Sequence, residues 1–140
     1  MKLKTSSNGF SLVELTIVVV ILGILATLAV PRFRTSVEQT KAAEGISYLH
    51  QVQLQQERFM VFKGRYARTK AELEAETGES LDTPEFFATR PFRSSNWEER
   101  WSAKVIRKGP SSGFGNYRIA WTQKGFSNRS TIPKELMPDG

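Results

Sequence analysis

Apolar residues run almost unbroken from Phe10 to Val30, and a helical stripe of apolar positions follows. These two patterns organise the N-terminal half of the chain. The first run carries a single charge, Glu14. About 20 apolar residues in a helix cross a bilayer, so the run predicts a helix of membrane length. Beyond Pro31, Ile46, Leu49, Val52, Phe59 and Phe62 recur at spacings of three and seven, which puts them on one helical face. The opposite face is expected to carry Glu38, Gln39, Lys41, Glu44, Gln51, Gln55 and Arg58. The simplest role for the apolar stripe is to pack on a globular head. Pro31 removes a backbone donor and crowds the preceding turn, and Gly23 is a second weak point, so both are candidate helix kinks. Gly64 is the expected stop, because glycine is favoured just past a helix C-terminus.

The pattern then shortens. Thr69-Lys70-Ala71-Glu72 has capping-box spacing and Gly78 follows as a stop, which predicts a helix over Lys70–Thr77. Residues 79 to 100 read as irregular, with Pro84, Pro91 and the Ser94-Ser95-Asn96 turn cluster. Phe86, Phe87 and Phe92 are expected to anchor that segment to the core. Strand patterns cover Trp101 to Lys108 and Phe114 to Gln123, joined by the turn-rich run Gly109-Pro110-Ser111-Ser112-Gly113. In the second strand Tyr117, Ile119 and Trp121 alternate with Arg118, Ala120 and Thr122, and Phe126 to Ile132 reads as a third strand. A long helix against a small antiparallel sheet is an α+β arrangement. The expected organisation is a leader at 1–9, a membrane helix at 10–30, an amphipathic stem at 31–63 and an α+β head at 64–140.

Composition narrows the chemistry. The 140 residues amount to one domain and carry a formal charge of +6. The bases are scattered, which suits solubility or a weak anionic partner. There is no cysteine, so disulfides and thiolate catalysis are excluded. His50 is the lone histidine and reads as an exposed residue on a polar helix stretch. No catalytic constellation emerges, and the expectation is a protein that is not an enzyme and has no cofactor and no metal. Glu72, Glu74, Glu76, Glu79, Asp82 and Glu85 lack calcium-loop spacing and read as a solvated acidic face. Trp97, Trp101, Trp121, Tyr117 and Phe114 interleave with Arg93, Arg100, Arg107 and Arg118. Such a mixture can bind single-stranded nucleic acid by stacking and charge. The simpler expectation, and the favoured one, is that alternate aromatics fill the sheet's core while arginines cover its outer face.

The N-terminus admits three readings. A secretory signal cleaved after Ala29 fits Lys2, Lys4 and the small-x-small site Thr27-Leu28-Ala29, but Glu14 sits inside the apolar region. A plain anchor lets Glu14 snorkel to the interface. The third rests on Gly9-Phe10-Ser11-Leu12-Val13-Glu14, which resembles the prepilin peptidase site of type IV pilins and type II secretion pseudopilins. In that family a short basic leader ends in Gly, the following residue is usually Phe, a Glu stands fifth in the mature chain and a Pro twenty-second. Counting from Phe10, Glu14 is fifth and Pro31 twenty-second. Phe62-Lys63-Gly64-Arg65-Tyr66-Ala67 is similar to a Gly-x-Tyr element found at this point in many members.

The resemblance implies a structural subunit of a pilus or pseudopilus. Its Gly9–Phe10 bond would be cut by the prepilin peptidase and its Phe10 amine methylated. Assembly through an inner-membrane platform would then build a homo- or hetero-polymer of pilin subunits through the N-terminal helix. Glu14 and the Phe10 amine would form the assembly pair. The subunit would sit in the inner membrane with its N-terminus cytoplasmic and its head outside, before entering the filament. The calcium site and the C-terminal disulfide of some members have no counterpart residues here. The alternative is a membrane-anchored binding domain that does not polymerise, such as a DNA-uptake receptor.

Overall fold

A computed structural model describes residues 9–137. Lys2 and Lys4, in the expected leader, and Pro138 and Asp139 lie outside the described residues. The chain divides at Arg34–Thr35 into two units. Helix α1 (Leu12–Lys63) contributes residues to both. In the first unit every described residue from Gly9 to Arg34 is exposed, and the helical hydrogen-bonding pattern passes through both Gly23 and Pro31.

The second unit is α+β, as the patterns predict. It holds the rest of α1, helix α2 (Lys70–Thr77), and strands β1 (Phe87–Thr89), β2 (Ser102–Arg107), β3 (Arg118–Thr122) and β4 (Gly125–Phe126). A single 3-10 turn over Lys134–Leu136 follows. The strands form one antiparallel meander in the order β1-β2-β3-β4. Val105 pairs with Ile119 and Ala103 with Trp121, so the inward sides of β2 and β3 are in step.

Helix α1 buries Glu38, Ala42, Gly45, Leu49, Val52, Gln56 and Phe59, with Tyr48 and Gln55 beside them. The first seven alternate in steps of four and three, the spacing that keeps one face of a helix turned inward. Phe87, Val105, Tyr117, Ile119, Trp101 and Leu136 complete the core. At Gly45 the close packing shows directly: an added Cβ would stand 3.0 Å from the Phe87 ring.

Helix ends follow their local chemistry. Thr69 caps α2 by accepting from the Glu72 amide at 3.1 Å. Gly78 takes the left-handed conformation, φ 69°, and its N–H closes on Glu74 O. Gly64, φ 70°, ends α1 in the same way, with its N–H on Met60 O at 2.9 Å.

Four expectations need correcting. Phe62 is 75% exposed and does not join the inner face, because it falls beyond the last core contact of α1 at Phe59. Glu38 and Gln55 were placed on the polar face and are buried. The segment from 79 to 100 contains β1, which forms because Phe87, Ala88 and Thr89 pair with Arg107, Ile106 and Val105. The expected strand over Phe126–Ile132 shrinks to Gly125–Phe126, although Ser127 and Thr131 still donate to Ala120 O and Arg118 O.

Candidate assembly segment

Gly9, Phe10 and Ser11 precede α1 in non-helical conformation. Gly9 is exposed and has no atom within 4 Å of where a Cβ would be, so the Gly9–Phe10 bond is open to approach. Phe10 is 81% exposed. Ser11 O accepts from the Leu15 amide at 3.1 Å and starts the helix.

Glu14 follows in the first turn of α1, where backbone N–H groups lack partners and negative charge is favoured. Its side chain is exposed and makes no ion pair or hydrogen bond among the described residues. The two threonine hydroxyls in the apolar run are satisfied within the helix. Thr16 Oγ1 donates to Val13 O at 2.8 Å and Thr27 Oγ1 to Ile24 O at 2.6 Å. Glu14 is thus the segment's one charged group, and the helix meets the length and composition needed to cross a bilayer.

Residues 4–30 match the family described as the prokaryotic N-terminal methylation motif. Over 45 residues the chain is 47% identical to the type IV major fimbrial protein FimA of Dichelobacter nodosus, and equally to a fimbrial protein of that organism. FimA of D. nodosus strain VCS1703A is 44% identical over the same length. The N-terminal segment is thus similar to that of type IV fimbrial proteins. Each match takes in 32% of this chain and 28% of the relative. The methylation motif stops at residue 30, and the whole of the second unit lies beyond it.

A second constellation, buried in the head, went unseen in the sequence. Glu38 on α1 accepts from Arg107 Nε at 2.6 Å and Nη2 at 3.1 Å, and from Tyr117 OH at 2.8 Å. The remaining Arg107 N–H groups reach backbone oxygens: Nη1 donates to Phe86 O at 3.2 Å and to Lys108 O, and Nη2 to Pro110 O at 2.9 Å. All five guanidinium donors are therefore used. Both charged side chains are essentially buried, at 1% and 0% exposure. Burial pushes the Glu38 carboxyl up, but the hydrogen bonds from Arg107 and Tyr117 and the Arg107 charge outweigh it and hold it below its ordinary value. Burial and the bond to Glu38 push the Tyr117 hydroxyl up, so it stays a donor.

This cluster ties α1 to the start of β3, the end of β2 and the residue before β1. It also corrects the expectation that arginines cover the sheet, because Arg107 lies on the inner side. Its residues have no solvent access, so its role is structural.

The aromatics take the place expected of a core. Trp101 and Tyr117 are buried, and Trp121 turns toward α1, donating from Nε1 to Gln53 Oε1 at 2.5 Å. His50 is exposed, as expected, and meets Trp121 edge-on. Of the acidic residues near α2, Glu72, Glu74, Glu76 and Glu79 pair with Arg65, Lys70, Lys63 and Arg58. No group of three or more metal-ligating side chains occurs among the described residues.

Proposed function

We propose that the chain is a structural subunit of a type IV pilus, held in the inner membrane by the apolar part of α1 and then polymerised through it. The observation that carries this is the unbroken exposed apolar helix behind an accessible Gly9–Phe10 bond, with Glu14 as its lone charge. Between Phe10 and Val30, 14 large apolar side chains are 44–81% exposed. Such a surface needs lipid or other subunits around it. On this reading the prepilin peptidase cuts after Gly9, and Phe10 becomes the methylated N-terminal residue. The new amine is the partner that Glu14 lacks among the described residues. In an apolar surround carboxylate and ammonium attract strongly, and pairing between neighbours sets axial register. Gly23 and Pro31 are the points where the helix can open during packing. The fimbrial names of the relatives favour a pilus over a secretion pseudopilus.

Two measurements test the proposal. N-terminal sequencing of the membrane fraction should return methylated Phe10. Met1 would instead mean an uncut anchor, and Val30 a secreted head. Glu14→Ala should be processed and retained in the membrane, with filaments absent from sheared material under the electron microscope. Wild-type filament yield from that variant would overturn the role given to Glu14.

A further inference from the structure

We propose that the cleft between α2 and the edge strand β1 binds a small organic anion of the uronic-acid type, a carboxylate carried on a hydroxylated ring. A cavity of about 460 Å³ opens there, within the size range of small-molecule sites. Arg68, Lys70 and Arg90 line it, and no carboxylate does.

Two independent features place the negative charge. The first is electrostatic. Arg68 and Arg90 make no ion pair or side-chain hydrogen bond among the described residues. The nearby acids are already engaged, Glu72 with Arg65 and the Arg68 amide, Glu74 with Lys70 and the Leu81 amide. The same wall holds the first turn of α2, where the Lys70 and Ala71 amides have no acceptor among the described residues. Free amides at a helix start favour a bound anion. The second feature is Tyr48, which enters the wall from α1. It is only 6% exposed, yet its hydroxyl has no hydrogen-bond partner among the described residues. Burial and the Glu74 charge push that hydroxyl up, so it stays a donor. A buried donor left unpartnered points to an acceptor supplied from outside.

The rest of the wall narrows the ligand. Phe92 supplies an apolar floor for the carbon face of a ring. Thr89 adds a hydroxyl without a partner among the described residues, and Thr69 accepts from the Glu72 amide, which leaves its own O–H free to donate. Hydroxyls around an apolar floor suit a sugar, and a guanidinium fork matches a carboxylate with two parallel bonds. A bare inorganic ion would leave most of the cavity unfilled. Charge also changes sign across Tyr48. On its other side it lines a cavity of about 210 Å³ that contains Glu44 and Asp82 and no cation. A chain of repeated negative charges would meet these acids, so the site suits a ligand with a single charge.

The test titrates galacturonate into the full chain in non-ionic detergent at constant ionic strength and follows backbone amide shifts by heteronuclear NMR. At the binding efficiency usual for ligands of this size, the shifts should saturate with a Kd of about 1 mM. They should be largest at Lys70, Ala71 and Arg90. The double variant Arg68→Gln, Arg90→Gln should weaken binding at least about tenfold. Tyr48→Phe should weaken it about three- to tenfold without lowering the midpoint of urea unfolding, because the hydroxyl has no partner among the described residues to lose. Lys124→Gln, on an exposed residue outside the cavity, should bind as wild type.

Shifts at these amides that fail to saturate well above that concentration, or wild-type affinity in the double variant, would overturn the proposal. So would neutral galactose or inorganic phosphate binding as tightly as galacturonate, or a lowered urea midpoint in Tyr48→Phe with affinity unchanged. None of these outcomes depends on filament formation, which the Glu14 variant reads separately.

Discussion

Glu38→Ala removes the carboxylate that holds α1 to the sheet. Three hydrogen bonds disappear, at 2.6, 3.1 and 2.8 Å, and two of the five Arg107 donors lose their partner in a site closed to water. Deleting one member of a buried ion pair typically costs about 3–5 kcal/mol, because the other charge stays buried. That is a large part of the roughly 5–15 kcal/mol that holds a domain folded. Glu38→Gln should cost nearly as much, since its amide NH2 would face one of the Arg107 N–H groups. Replacing the whole cluster by Glu38→Leu, Arg107→Met and Tyr117→Phe should recover most of the loss, because no polar group is then stranded. Urea unfolding of the full chain in detergent, followed by tryptophan fluorescence, reads these differences. With a slope of about 2 kcal/mol per molar urea, Glu38→Ala should lower the midpoint by about 1.5–2.5 M. The Glu38 carboxyl is held below its usual 4.5 in the folded state. Its contribution is therefore complete above about pH 4.5 and fades as pH falls through the lower folded value. The gap between wild type and Glu38→Ala should narrow in acid accordingly. A loss under about 1 kcal/mol, or an equal loss in an Arg107→Met background, would refute the reasoning.

Gln56→Met should destabilise the head by about 2–4 kcal/mol in the same urea assay. Gln56 Nε2 donates to Ala67 O at 3.0 Å and its Oε1 accepts from the Ala67 amide at 2.8 Å, so the change strands two buried backbone groups. Gly45→Ala should cost about 1–3 kcal/mol, because the new methyl meets the buried Phe87 ring at 3.0 Å and this outweighs the helix-propensity gain of about 1 kcal/mol. A stabilised Gly45→Ala would mean that the ring yields freely. Thr69→Ala should loosen α2 by about 1 kcal/mol, visible as faster amide exchange at Glu72 with little change elsewhere.

What could be read in the sequence was local. Helix α2 was legible because Thr69, Glu72 and Gly78 act within one short stretch. The β2–β3 hairpin was legible because alternation and a glycine-rich turn are also local signals. The candidate assembly segment was legible because Gly9, Phe10, Glu14 and Pro31 keep a fixed spacing along the chain. Glu38 and Gln56 were hidden because a polar side chain counts as outward when only residue type is read. Their four-and-three spacing with Ala42, Gly45, Leu49, Val52 and Phe59 was the available clue. Nothing local pointed to Arg107, whose partner lies 69 residues away. Strand β1 was missed for a related reason, because three residues between prolines become a strand only through pairing with β2.

Helix α1 thus breaks the usual burial rule in both directions, and the two breaks have different consequences. In the head it buries Glu38, Gln55 and Gln56, and the chain supplies partners: Arg107 and Tyr117, Glu79 O, and Ala67. Such burial is costly only when the partner is missing, so it makes the head specific without asking anything of its surroundings. In the first unit the break is the opposite one, and among the described residues nothing answers it. Even at half the full burial value of about 1.5–3 kcal/mol per large side chain, the 14 exposed residues leave more than about 10 kcal/mol unrealised in water. That is comparable to the stability of a whole domain. The demand must therefore be met from outside the chain, on the proposed reading by lipid before assembly and by neighbouring helices after it. The one group on that surface that lipid serves badly, Glu14, is the one with most to gain from the exchange.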